Sequence, residues 1–151
     1  MIAWTRIDSR LIHGQVVEAW LPHLAVRRVV VADDAAAADP MTRMAYGLAV
    51  PPDIEVVLST VGGTDFAALA GDGVRTLLLF RDVKSAVAAR ARGLPAVPLN
   101  LGNVHSGPGR EAISRSVFLD QSDTDALHAL AAGGMEVSVQ AVPSEKSQPL
   151  R

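Results

Sequence analysis

The sequence predicts an α/β fold: a doubly wound, mostly parallel open sheet with helices on both faces, in a single domain. Short β-rich apolar runs such as Val29-Val30-Val31-Ala32 and Thr76-Leu77-Leu78-Leu79-Phe80 alternate with alanine-rich amphipathic stretches of helical length. No internal repeat or Pro/Ser-rich linker divides the 151 residues, and 49% hydrophobic with 20% charged residues suits one domain with a sizeable core.

The elements follow in order. Residues 2–7 read as a strand, 14–21 as a short helix and 27–32 as a buried strand. A helix over 40–49 stops before Pro51-Pro52, because a residue ahead of proline is steered out of the α region. Residues 54–58 form a third strand, 64–70 a helix capped by Thr64, 74–80 the most apolar strand, and 83–92 a helix ended by Gly93. A strand over 97–101 leads into a glycine-rich loop, 102–109, and then the run 113–119. A helix over 123–132, closed by Gly133-Gly134, precedes a last strand over 136–142. Residues 1–143 make up the domain, and the polar tail 144–151 is expected to be loose.

Bulk chemistry narrows the function. A net charge of -2, with 14 basic and 16 acidic residues in no long run, gives no general attraction for nucleic acid. The absence of cysteine removes disulfides and thiolate chemistry and fits a reducing compartment. The opening residues lack a secretory pattern, and no apolar run approaches the roughly 20 residues that span a bilayer. A cytoplasmic location is expected, with membrane association only through a partner and no direct insertion.

In an open parallel sheet, ligands sit beyond the carboxyl ends of strands, which directs attention to residues 8–14 and 102–109. The first loop, Asp8-Ser9-Arg10-Leu11-Ile12-His13-Gly14-Gln15, sets an arginine three residues ahead of a histidine at a helix start. Such a start offers unpaired N–H groups and partial positive charge, so the amides of Gly14 and Gln15 can hold phosphoryl oxygens placed on His13. Arg10 can add a charge-assisted contact to the same oxygens. The nucleophile would be neutral imidazole, which a helix N-terminus favours, and no metal or cofactor is needed. A loop histidine can equally be an ordinary hydrogen-bonding surface residue, and spacing alone does not choose between the two. No glycine fingerprint for dinucleotides or nucleoside triphosphates and no Gly-x-Ser-x-Gly elbow is present.

The stretch Arg6-Ile7-Asp8-Ser9-Arg10-Leu11-Ile12-His13-Gly14-Gln15-Val16, followed by Trp20, closely resembles the active-site signature of the IIB components of the mannose/fructose/sorbose family of the sugar phosphotransferase system. The resemblance continues through Val31-Ala32-Asp33-Asp34, Ala49-Val50-Pro51, Leu77-Leu78-Leu79-Phe80 and Asn100-Leu101-Gly102-Asn103-Val104-His105, covering nearly the whole chain. It implies a phosphotransferase acting on sugars: a IIA partner phosphorylated on histidine would pass its phosphoryl group to Nδ1 of His13, and His13 would pass it to a sugar held by membrane IIC and IID components. By the same resemblance Arg10 neutralises the phosphoryl group, Asp8 holds the loop or the imidazole, and Gln15 makes helix-start contacts. Asp8 and Gln15 also have a plain alternative as loop caps.

Two departures stand out. Ser9 occupies a position often acidic in the family, and Gly102-Asn103 replaces the usual paired glycine, so the second loop can be shaped differently. His105 in that loop is either a helper that contacts the phosphoryl group or a solvent-facing residue. His23 and His128 read as exposed, and Arg81, Arg90 and Arg92 bracket one helix either as a docking group for an acidic partner or as a solvated face. Two other functions use the same features: a phosphorylation-dependent regulatory module of an incomplete system, and a binder of a phosphorylated metabolite that never bonds to His13.

Overall fold

The computed structural model of the chain describes residues 1–151. In chain order the strands of the main sheet are β1 (Ile2–Asp8), β2 (Arg28–Ala32), β3 (Glu55–Ser59), β4 (Thr76–Phe80) and β5 (Leu99–Asn103), with β8 (Val137–Val139) and β9 (Gln148–Pro149) at the end. A separate hairpin pairs β6 (Glu111–Ala112) with β7 (Phe118–Leu119). The spatial order of the sheet is β3-β2-β4-β1-β5-β8-β9, parallel throughout except for the antiparallel β8–β9 pair.

Interior parallel strands need apolar side chains on both faces, and β4 is buried at every residue. Because side chains alternate along a strand, Leu77 and Leu79 enter one core while Leu78 and Phe80 enter the other. The first core is closed by α1, a π-helical turn (Val16–Trp20) that continues as α-helix (Leu21–Leu24), and by α2 (Asp34–Ala37), through Val16, Trp20, Leu21, Leu24 and Ala36. Next along the chain comes α3 (Pro40–Ala49), in which no residue is buried. The second core is closed by α4 (Phe66–Gly71), α5 (Val83–Ala91) and α6 (Gln121–Ala132), through Phe66, Val83, Ala86, Ala89, Leu127 and Leu130. Each fully buried Val, Leu or Phe side chain among these contributes about 1.5–3 kcal/mol relative to exposure.

Several boundaries differ from the sequence reading. The first helix runs to Leu24, beyond the expected residue 21, and widens just before Pro22, whose ring lacks an N–H and presses on the preceding turn of a regular α-helix. It ends where Ala25 takes φ 51°, a left-handed cap. The alanine tract after Asp33 forms α2, because the Asp33 carboxylate accepts from the Ala36 N–H. Asp65, not Thr64, caps α4, and the Thr64 hydroxyl is spent on Ser59 and Thr60. The fifth strand starts at Leu99, one residue past Pro98, and the run 113–119 turns on the Ser114 hydroxyl before entering β7. The last expected strand shortens to β8, and the tail expected to be loose instead supplies β9, with Leu150 N–H donating to Val137 O.

Candidate functional site

Arg6 and Asp8 sit two residues apart on β1 and therefore point to the same face. Both are fully buried. Arg6 donates to Asp8 Oδ2 from Nε at 3.2 Å and from Nη2 at 3.0 Å, while Nη1 donates to Asn100 Oδ1 at 2.8 Å and to the Gln140 carbonyl at 3.2 Å. Its guanidinium lies over the Trp20 ring, 5.1 Å from the centroid, and Trp20 is held by a hydrogen bond to the Ala141 carbonyl and by stacking on Trp4. Burial pushes the Arg6 guanidinium below its ordinary value, and the Asp8 carboxylate opposes that shift.

Space for this guanidinium comes from Gly102. Between Ile7–Leu101 and Asp8–Asn103 the register of β1 against β5 slips, leaving Gly102 as the extra residue of a bulge. An added Cβ there would overlap Cζ, Nη1 and Nη2 of Arg6. The departure from a paired glycine thus leaves in place the one glycine that this packing requires.

Asp8 organises the loop that follows. Its Oδ1 accepts from the Arg10 N–H at 3.0 Å and its backbone carbonyl accepts from the Leu11 N–H at 2.9 Å. Leu11 takes φ 56°, and its fully buried side chain anchors the loop in the first core. The turn brings His13 back so that Nε2 lies 2.9 Å from Asp8 Oδ2. An ionised carboxylate only accepts, so in the neutral ring the contact is made by an Nε2–H donor, which leaves the lone pair on Nδ1. The backbone N–H groups of Gly14, Gln15 and Val16 donate to no protein acceptor, as expected at a helix start. Arg10 is exposed and its guanidinium has no partner in the chain.

The surrounding loops are tied together. Ser9 N–H donates to the Asn103 carbonyl and Ser9 Oγ to Asn103 Oδ1. Arg81, after β4, grips the carboxylate of Asp33, after β2, through Nε at 3.1 Å and Nη2 at 2.9 Å. Burial works to raise the Asp33 carboxyl, but hydrogen bonds from Arg81 and the Ala36 N–H outweigh it and hold the group below its usual range. The hydrogen bond to Asp33 in turn raises the Arg81 guanidinium. Carboxyl ends of four strands thereby frame one surface.

Of the residues singled out in the sequence, Asp8, Arg10, His13, Gly14 and Gln15 come together here, with Gln15 Oε1 3.5 Å from Arg6 Nη2. His105 lies exposed on the neighbouring loop without a hydrogen bond, as do His23 and His128 elsewhere. The arginine group does not act as a set: Arg81 holds Asp33, and Arg90 holds the carbonyls of Leu94 and Gly133. Arg6, Asn100, Gly102 and Gln140 were missed as a unit. The available signal was an arginine and an aspartate at i and i+2 in an otherwise apolar strand.

The family described as the PTS system sorbose subfamily IIB component matches residues 2–151. The N-acetylgalactosamine-specific phosphotransferase enzyme IIB component 2 of Escherichia coli strain K12 is 32% identical over 150 residues, 99% of this chain and 96% of that protein. The fructose-specific EIIB component of Bacillus subtilis strain 168 is 28% identical over 97% of this chain and 91% of its own length. Among solved structures, the IIBSor domain of the sorbose permease from Klebsiella pneumoniae superposes with a TM-score of 0.87 at 26% identity, covering 99% of this chain and 93% of that one.

Proposed function

The chain belongs to the sorbose subfamily of IIB components of the sugar phosphotransferase system, and on that premise we propose that it is a phosphocarrier whose covalent intermediate is phosphohistidine 13. The observation that carries the reading is the 2.9 Å contact from His13 Nε2 to Asp8 Oδ2, which leaves Nδ1 free on the same loop as the exposed, unpartnered Arg10.

In the first transfer, the Nδ1 lone pair attacks phosphorus of a phosphohistidine on a IIA partner. The donor P–N bond breaks, its electron pair returns to the donor imidazole, and a P–Nδ1 bond forms on His13. No proton need move at His13: Nε2 keeps its hydrogen and the ring becomes cationic. Asp8 then faces an imidazolium where it faced a neutral ring, so its hydrogen bond strengthens as the reaction proceeds. Charge on the phosphoryl oxygens falls to Arg10 and the free N–H groups of Gly14, Gln15 and Val16. In the second transfer a sugar hydroxyl held by IIC and IID attacks phosphorus, the electron pair of the P–N bond returns to Nδ1, and the hydroxyl proton passes to solvent. The protein's contribution is positioning and fixed charge.

Incubation with a phosphorylated IIA domain, followed by intact-mass analysis beside a His13→Ala control, tests the reading. An added phosphoryl group that is acid-labile, alkali-stable and absent from the control supports it. Unmodified wild-type protein with a cognate donor would leave only non-covalent binding of a phosphorylated metabolite.

A further inference from the structure

Residues 140–150 reach back to the site that holds His13. Just past β8, two consecutive carbonyls take donors from it. That of Gln140 accepts from Arg6 Nη1 at 3.2 Å and from Asn100 Nδ2 at 3.1 Å, and that of Ala141 accepts from Trp20 Nε1 at 2.9 Å. One carbonyl thus fixes an edge of the Arg6 guanidinium, and the next fixes the aromatic ring over which that guanidinium lies. We propose that residues 140–150 form a strap that sets the orientation of Arg6 and, through Asp8, the tautomer of His13, with Gln140 as its positioning residue. The proposal rests on the phosphocarrier reading above.

Gln140 itself closes the strap. Its N–H donates to the Leu101 carbonyl, continuing the pairing of β8 with β5, while its side-chain Nε2 donates to the Glu145 carbonyl at 2.8 Å and faces the Pro143 carbonyl at 3.5 Å. Within the turn so enclosed, the Glu145 N–H donates to the Val142 carbonyl. From there the chain returns as β9, the Leu150 N–H donates to the Val137 carbonyl, and the Leu150 side chain packs on the second core. Pro143 and Pro149 restrict the backbone at both ends of the return. A segment of polar composition is thereby held in one conformation, and its contribution to the site is a pair of carbonyl acceptors.

Orientation matters because of how Asp8 is shared. An arginine that pairs freely with a carboxylate takes both oxygens in a parallel fork. Arg6 instead directs Nε and Nη2 to Oδ2 alone, and Oδ1 is left to the Arg10 N–H. Turning the guanidinium into the fork would move Nη1, which donates to Asn100 Oδ1 and to the Gln140 carbonyl. The strap therefore disfavours the fork. Were the fork to form, Oδ1 would leave the Arg10 N–H and Oδ2 would turn away from His13 Nε2. An imidazole without that acceptor is free to carry its proton on Nδ1, where no lone pair then remains for phosphorus.

The experiment uses the full chain. Gln140→Met keeps the side-chain length and removes the donor, and Trp20→Phe removes the donor to Ala141 while keeping an aromatic ring beside Arg6. Phe66→Leu, a change in the second core outside these contacts, controls for lost stability alone. In the unphosphorylated proteins, ¹⁵N spectra assigned with His13→Ala read the His13 tautomer, and amide exchange at Glu145 reads the turn. Labelling by a phosphorylated IIA domain reads transfer. Gln140→Met should exchange faster at Glu145, show mixed tautomers at His13, and accept phosphoryl groups more slowly, on the order of tenfold. Trp20→Phe should change in the same direction, and Phe66→Leu should keep the wild-type tautomer and rate. The wild-type tautomer in both Gln140→Met and Trp20→Phe overturns the proposal, as does slower transfer with the tautomer unchanged. Unchanged exchange at Glu145 in Gln140→Met removes Gln140 as the closure of the strap and overturns it too, and mixed tautomers in Phe66→Leu would reduce the effect to stability. Wild type that takes no label while Gln140→Met still mixes the tautomers would overturn the phosphocarrier reading and leave the hold of the strap on His13 standing.

Discussion

The guanidinium of Arg6 occupies the volume that a side chain on Gly102 would fill. The two residues lie on adjacent strands, and the bulge at Gly102 is what lets a fully buried cation rest against β5. Replacing Gly102 with alanine therefore has to move Arg6 off Asp8, Asn100 and the Gln140 carbonyl. Breaking a buried pair on one side costs about 3–5 kcal/mol. Urea unfolding of Gly102→Ala should show a loss of this size, and a loss below about 1 kcal/mol would mean that Arg6 is not held as described.

Asp8→Asn separates geometry from charge. An asparagine side chain can still lie beside His13, but it cannot neutralise either Arg6 or an imidazolium. Phosphoryl acceptance should fall at least on the order of 10²-fold. In ¹⁵N spectra of the unphosphorylated protein, the proton on Nε2 should no longer dominate. A variant that keeps the Nε2–H tautomer and a wild-type rate would remove Asp8 from the mechanism.

Arg10 offers the opposite profile. Being exposed and unpartnered, it should contribute within about 0.5 kcal/mol to stability, so Arg10→Gln should melt like wild type. Removal of one fixed charge from the developing phosphoryl oxygens should still slow transfer by about 10²-fold. Equal rates for the two proteins would assign Arg10 to solvent alone.

A pH effect follows from Asp33. Its carboxyl is held below the ordinary carboxylate range in the folded state, so the unfolded chain binds this proton more readily than the folded one. The associated stability is fully present above the unfolded value and fades as pH falls through the folded one. Because Arg81 is partly exposed, the effect is modest, about 1 kcal/mol or less. Asp33→Asn should be less stable than wild type at pH 7, and the gap should close toward pH 2–3. A gap independent of pH would point to packing instead of charge.

The doubly wound architecture was legible because parallel strands covered on both faces must be apolar throughout, as Val29 to Val31 and Leu77 to Phe80 are. The loop from Asp8 to Gln15 was legible because its chemistry is local: the residues that meet in space are also neighbours in sequence. What supports that loop was not. Arg6 finds its partners at Asn100, Gly102 and Gln140, and periodicity in one strand carries no information about a bulge in another. β9 was hidden for a related reason, since Gln148 and Pro149 have no strand preference of their own and are recruited by the open edge of β8.

Leu11 combines a left-handed backbone with a side chain sunk in the core. Such a residue persists only where its surroundings over-determine it, at a cost of about 1–3 kcal/mol met during folding. The loop consequently surrenders its conformational freedom before any partner arrives. On the proposed phosphocarrier reading, a phosphoryl group delivered to His13 would meet a receptor that is already ordered, so the activation entropy of transfer should reflect the encounter of two proteins and not the freezing of a loop. Leu11→Gly would relieve the backbone while releasing the anchor, and the same chemistry would then carry an added entropic barrier.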